Sequence, residues 1–405
     1  MISTISLLYY ILVFYGVKYA GFGKFHDNFL SLKILNGLKG LASISILIGH
    51  MNLDHPEFRK TLFHTPPGFG RFYPAFFMFC SGYGLMVSFK KKKDYLNNFI
   101  KRRIFSILIP YLLNRFINYV QNITMNYNHE KSLIDILNFK MMFYDIFVYN
   151  HAWFILELIM FYLFFYIFFK YLKNRHLIRF LILIFCWLII LVPTYYPKNL
   201  GKNKKYIFVA DEYHYSTLSF IYGLLIGDYE ENIIKFIKKF YYLFLILASL
   251  FPYYYQYFRK NIPDQTLKNS KYKNYWFNFT KYNILSILMY SCILIITMKI
   301  QINNIILDYL GKFTLENYLY HPLILKIYRT NTIYFKPENI FWKYFISFFI
   351  SLYYSEKMHY INSLLIGLIN KDENKIYENK GNVISKVKID EKQQLLNKIE
   401  EKITI

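Results

Sequence analysis

The sequence predicts an all-α, polytopic membrane protein with about 10 core transmembrane helices and an extra N-terminal helix. Three observations predict it. Of 405 residues, 55% are hydrophobic and 21% aromatic, while only 18% are charged, against roughly 25% in a soluble domain. The apolar residues come in runs of roughly 17–25, the length that crosses a bilayer as a helix. The balance of 49 Lys+Arg against 25 Asp+Glu is strongly basic, and the bases sit in short segments between the runs. That placement sets membrane orientation and does not suggest a nucleic-acid partner. An ordinary soluble enzyme, a disordered chain and a disulfide scaffold are thereby excluded. Cys80, Cys186 and Cys292 each lie within an apolar run, with no metal-ligand or disulfide spacing.

The core runs fall near 34–53, 73–90, 103–121, 152–172, 177–196, 215–229, 239–257, 281–300, 305–328 and 340–357. An eleventh, near 4–21, has an uncharged start and no small-x-small cleavage site, so it reads as a retained span rather than a signal peptide. Residues 1–33 form an N-terminal segment and linker, 34–369 the membrane domain, and 370–405 a charged tail with few large apolar residues, expected to be cytoplasmic and disordered. Lys90 to Lys93 with Lys101, Arg102 and Arg103 crowd one connection, the strongest positive-inside signal in the chain. That loop is expected in the cytoplasm. Those near 54–72, 122–151, 197–214, 258–280 and 329–339 are expected outside. The glycosylation triplets at Asn122 and Asn278 fall in the latter set.

Ionisable groups inside spans mark candidate sites, because burying them in lipid is costly. Lys39 and His50 are eleven residues apart on the first core run, about three helical turns, so they share a face and lie about 16 Å apart along it. That face lines a cavity, or Lys39 reaches to the headgroups and His50 makes one hydrogen bond between helices. Ser81, between Cys80 and Gly82, suits close helix approach. Lys101-Arg102-Arg103 opens the third run, which Pro110 interrupts; the triplet holds a phosphate or merely anchors the span. Trp153 opens the fourth run, and Glu157 lies one turn deeper. In the ninth, Glu316, Asn317 and His321 fall within about two turns, so this run faces protein or water.

These residues carry a resemblance. The chain is similar to the acyltransferase-3 family of integral membrane O-acyltransferases over roughly residues 34–357. The family's Asp-Gly-Leu-Arg-Gly-Leu-Ala followed by a His is matched by Asn36-Gly37-Leu38-Lys39-Gly40-Leu41-Ala42 and His50. Its second-span pattern is matched by Phe76, Phe77, Ser81, Gly82 and Tyr83, and its basic entry to a Pro-x-Tyr-like span by Arg102, Arg103, Pro110 and Tyr111. Trp153-Phe154-Ile155, Phe220 to Gly223 with Gly227, and the signature from Leu310 to Pro322 follow in the family's order. Lys39 stands where the family has Arg, Asn36 replaces the usual Asp, Ile107 takes the place of a second arginine, and Glu157 is displaced by one position.

The resemblance implies transfer of an acyl group, usually acetyl, from cytoplasmic acyl-CoA to a hydroxyl of an extracytoplasmic or lipid-linked carbohydrate. Acyl-CoA would be a co-substrate, with no bound cofactor and no metal. It implies His50 as general base or thioester-positioning group, Lys39 on the donor or the developing oxyanion, and Arg102 and Arg103 on the CoA phosphates. Ser81, Trp153, Glu157, Glu316, Asn317 and His321 would support His50 or the acceptor. The membrane would be the plasma membrane of a bacterium, or a plasma membrane or endomembrane of a eukaryote. A polytopic transporter and a catalytically inactive family member acting as a membrane partner are the alternatives.

Overall fold

The computed structural model describes residues 11–54, 72–125, 153–172, 178, 181, 217–261, 273–330, 342 and 345–368. The chain divides into two units, Met1–Lys357 and Met358–Ile405. In the first, β1 is Lys18–Tyr19, α1 Leu32–Asp54 and α2 Phe72–Lys91. A π-helical turn, Ile100–Phe105, leads into α3, Ser106–Met125. Then come α4 Trp153–Tyr171, α5 Thr217–Asp228, α6 Glu230–Lys239, α7 Tyr241–Ser249, α8 Phe251–Asn261 and α9 Lys273–Thr297. After β2, Ile300–Gln301, follow α10 Ile305–Leu310, a 3-10 turn Gly311–Phe313, and α11 Thr314–Thr330. Residues 345–357 are helical. In the second unit, residues 358–368 are helical and the tail 370–405 lies outside the described residues.

Helix dominates, as the apolar runs imply, with one exception. Lys18–Tyr19 pairs antiparallel with Ile300–Gln301, so the protein is not purely α. This also corrects the N-terminal expectation: the run near 4–21 is not one helix to its end. Residues 11–14 are helical, Gly16 then adopts φ +73°, and the chain turns into β1. Left-handed backbone of this kind ends a helix and suits glycine.

Among the described residues, four helical stretches are long and apolar enough to cross a membrane: Leu32–Met51, Phe72–Lys91, Phe154–Tyr171 and Thr280–Thr297. Four of the expected ten runs are thus recovered as such among the described residues, and the others differ for identifiable reasons. The run 239–257 is split between α7 and α8, because Pro252 cannot donate the hydrogen bond that would continue the helix. The run 305–328 is assembled from α10, the 3-10 turn and α11. The apolar helix of 215–229 is 12 residues long. α3 is too polar to qualify, since its inner face carries the buried Asn114, Arg115 and Asn118. The run 177–196 lies almost wholly outside the described residues.

Glycines decide where the helices touch. A Cβ at Gly82 would collide with the carbonyl of Phe220, and one at Gly223 with that of Phe79, so α2 and α5 meet backbone to backbone. Phe161 stacks on Phe220 at 4.6 Å, adding α4 to this seam. A second seam joins α1 to the α10–α11 corner: a Cβ at Gly40 would strike the Leu307 carbonyl, and one at Gly311 that of Asn36. The turn before α1 is anchored by Lys299, whose Nζ donates to the carbonyls of Gly21 (2.6 Å) and Lys24 (2.5 Å) and lies 4.6 Å from the centre of the Phe25 ring. Lys90 donates to the carbonyl of Asp228 at 2.8 Å, and Lys238 pairs with Asp27 at 3.0 Å. These contacts gather the ends of α2 and α5, α6 and the segment before α1 at one basic end of the bundle.

The two α2 glycines should respond oppositely to a methyl group. Gly82→Ala should lower the melting temperature of the detergent-purified protein by a loss of about 1–3 kcal/mol, the cost of overpacking a tight core. Gly84→Ala, where a Cβ meets nothing within 4 Å, should be neutral or slightly stabilising on helix propensity alone. Equal effects in a thermal scan would contradict the seam.

Candidate functional site

α1 carries Lys39 and His50 into the bundle, and the structure gives them different surroundings. His50 Nδ1 is 2.6 Å from His321 Nε2 on α11, with ring centres 4.8 Å apart. His321 is 1% exposed, and its Nδ1 is 2.5 Å from the carbonyl oxygen of Asn317, one turn earlier. The carbonyl can only accept, so His321 Nδ1 is protonated and, in the neutral ring, Nε2 is an acceptor. His50 must then donate from Nδ1. The proton on neutral His50 is thus fixed at Nδ1, and Nε2 becomes its basic atom. This tautomer follows from the partners alone.

The chain continues past His321. Asn317 donates from Nδ2 to Ser43 Oγ at 2.7 Å, and Ser355 donates to Asn317 Oδ1 at 3.5 Å. Ser43 is on α1, two turns before His50. Asn317 therefore ties α11 to α1 while its main chain sets the His321 ring. Glu316, 4% exposed, sits in the first turn of α11, where the helix N-terminus favours negative charge.

Lys39 occupies the other end of the same face. It is partly buried and lies within electrostatic reach of Cys80 on α2 and Arg103 in the π-helical turn. Arg103 Nε donates to Tyr95 Oη at 3.1 Å. Tyr162 on α4 is within electrostatic reach of Arg103 and within hydrogen-bonding reach of Ser81. Lys39, Ser81, Arg103, Tyr95 and Tyr162 thus converge near the basic end. Arg102 points elsewhere: it is exposed, and its Nη2 donates to the carbonyls of Tyr95 (2.9 Å) and Asn97 (2.6 Å), folding the loop back on itself.

Glu157 belongs to a third cluster. It is 1% exposed and accepts from Thr217 Oγ1 at 2.9 Å. Asn283 Oδ1 accepts from the Leu218 amide at 3.1 Å, so α4, α5 and α9 meet around buried polar groups. Trp153 is the first residue of α4, and its side chain lies outside the described residues. The expected site residues therefore form two groups on one face of α1, His50 with Asn317 and His321, and Lys39 with Arg103 and Ser81. Glu157 stands in the separate cluster.

Sequence reading placed Ser43 on the Lys39 face as a small residue but missed Thr217, Asn283 and the inner face of α3. Hydroxyl and amide residues in apolar runs are commonplace, so nothing in the pattern singled out Thr217 or Asn283. Arg115 did carry a signal, as a permanent cation twelve residues past Arg103 within the same run.

A family model for an acyltransferase domain matches residues 32–355. That is most of the chain, and it includes every site residue named above. The protein is a membrane acyltransferase by class, and it belongs to the acyltransferase-3 family. No curated protein and no solved structure matches it.

Removing the hydroxyl that serves Glu157 isolates the third cluster. Thr217→Val keeps the shape and deletes one donor, which should destabilise the protein by about 1–3 kcal/mol. Thermal unfolding measures it, and an unchanged midpoint would show that the Thr217–Glu157 bond carries no stability.

Proposed function

We propose that the protein is an O-acyltransferase that takes an acyl group, most simply acetyl, from acyl-CoA. It delivers the group to a hydroxyl of a carbohydrate or lipid-linked sugar on the opposite side of a membrane that it crosses several times. The observation that carries this reading is the imidazole pair. A half-buried His50 whose tautomer is fixed by the buried His321 is the arrangement a general base needs.

His50 Nε2 takes the proton of the acceptor hydroxyl as the oxygen attacks the thioester carbonyl. His50 then holds N–H on both nitrogens, and its bond to His321 Nε2 becomes charge-assisted. His321 stabilises the imidazolium while anchored to the Asn317 carbonyl, so little reorganisation accompanies proton transfer. The proton passes from His50 Nε2 to the departing CoA sulfur, which leaves as the thiol. Lys39 holds the donor or the negative charge on the carbonyl oxygen. As an ammonium it does so as a point charge, without the planar fork of the family's arginine. Arg103, beside Lys39, binds the CoA phosphates. Arg102 is engaged by its own loop, so its share in phosphate binding would require it to leave those carbonyls. The bilayer supplies the third partner, and the basic loop faces the cytoplasm, where acyl-CoA is made.

The test is transfer from radiolabelled acetyl-CoA in isolated membranes. His50→Ala should cut the rate about 10²–10⁴-fold, the usual contribution of a general base. Lys39→Ala should raise the KM for acetyl-CoA, and Lys39→Arg should retain or raise the rate. Undiminished transfer by His50→Ala would remove the mechanism, and no transfer by either the natural protein or Lys39→Arg would identify an inactive family member.

A further inference from the structure

α6 is a short helix set between two bends. At Tyr229 before it (φ −107°, ψ 23°) and Phe240 after it (φ −113°, ψ 26°) the backbone leaves the helical region, where ψ is about −42°. The chain changes course on leaving α5 and again on entering α7. Its 10 residues reach about 15 Å, roughly half the hydrocarbon thickness of a bilayer, so α6 does not cross one. At about 3.6 residues per turn, Ile233, Phe236, Ile237 and Phe240 share an arc of roughly 100°. Glu231, Lys235 and Lys239 lie on the other side. That is the pattern of a helix lying on a membrane surface.

The apolar arc is divided between two neighbours. Ile233 and Ile237 pack against the core of the bundle. Phe236 and Phe240 do not, being 56% and 40% exposed. Their rings stand 5.3 Å apart, and that of Phe236 lies 5.7 Å from Phe244 on α7, where Leu243, Ile246 and Leu247 are exposed as well. An open apolar strip therefore continues from the flank of α6 along α7. The lysines of α6 are divided too. Lys238 is the anchor, paired with Asp27 at 3.0 Å and 5.6 Å from the centre of the Phe25 ring. Lys235 and Lys239 are exposed and form no ion pair among the described residues. Lys239 Nζ stands 5.3 Å from the centre of the Phe240 ring, at the border of the strip. Glu231 shares their side, whereas Glu230 turns to the bundle and accepts from Tyr83 Oη at 3.1 Å.

We propose that α6 lies along the bilayer surface at the basic end of the bundle and binds an anionic phospholipid. Lys235 and Lys239 hold the headgroup phosphate, and the strip from Phe236 into α7 takes the acyl chains. The chemistry of the partner follows from the border between the two. A lipid with a net negative headgroup carries its charge where its hydrocarbon begins, and α6 places ammonium groups where its exposed phenylalanines begin. A zwitterionic lipid fills the apolar strip equally well, but its own cation offsets the attraction of the lysines. Lys91 and Lys92, exposed at the end of α2, attract the same surface from outside this face. The inference needs only that the protein sits in a membrane, and it is independent of the acyl-transfer mechanism.

Native mass spectrometry of the full-length protein in detergent tests this, by titration with dioleoyl phosphatidylglycerol or dioleoyl phosphatidylcholine. The expected result is tighter binding of the first phosphatidylglycerol than of the first phosphatidylcholine, by about fivefold or more. Lys235→Gln combined with Lys239→Gln should bring the two lipids within about twofold of each other. Lys235→Arg combined with Lys239→Arg, which restores both charges, should recover the preference. Lys91→Gln combined with Lys92→Gln removes the same charge from the neighbouring loop and should leave the preference intact. Melting temperatures without added lipid should match across these variants, because the exchanged lysines are all exposed. Equal binding of the two lipids by the natural protein overturns the proposal, as does a preference that survives the Lys235 and Lys239 exchange or is lost equally with Lys91 and Lys92. Displacement of phosphatidylglycerol by inorganic phosphate also overturns it, since the face would then read a phosphate without its lipid.

Discussion

The close approach of α1 to the α10–α11 corner is the constraint on which the rest depends. Gly40 lies against the Leu307 carbonyl, and Gly311 against that of Asn36. Two helix backbones can come this near only where neither carries a side chain at the crossing. The crossing fixes the register of α11 on α1. Ten residues further along α1 is His50, ten past Gly311 is His321, and the rings meet at that distance. Side chains at either glycine would push apart the helices that bring the imidazoles together. The family signature around these glycines thus has a physical reading, as the seam that brings His50 to His321.

The seam also explains the division of labour along α1. Near its start the helix faces the basic end, where Lys39 lies within electrostatic reach of Arg103. Deeper in, Ser43 holds Asn317, and His50 holds His321. One rigid element therefore connects a cationic cluster with an imidazole pair about 16 Å further along the axis. The proposed donor, acyl-CoA, is long enough to lay its phosphates at one end and its thioester at the other. A helix positions such groups more tightly than loops would, which matters when a small misplacement costs large factors in rate.

Much of this was legible in the sequence, and the residues show why. Lys39 and His50 could be placed on one face because helical periodicity is rigid over three turns. Glu316, Asn317 and His321 stood out because so many polar groups rarely share an apolar run. The His50–His321 contact spans 271 positions of chain, and no local pattern encodes it. The third cluster was hidden for another reason, since Thr217 and Asn283 become meaningful only when α4, α5 and α9 meet. Hydropathy also misread α3 as an ordinary span, although its buried face carries a cation. The N-terminal run misled in the opposite direction: it is apolar, yet Gly16 and the pairing of β1 with β2 turn it away from a continuous helix.

The central claim is that His50 and His321 act as one unit. A double-mutant cycle on the transfer rate measures this directly, with His50→Ala, His321→Ala and the pair combined. The account predicts a strongly non-additive result, in which the double variant is scarcely slower than His50→Ala, because His321 acts only through His50. Losses that simply multiply would show that the two imidazoles serve the reaction independently, and would contradict it.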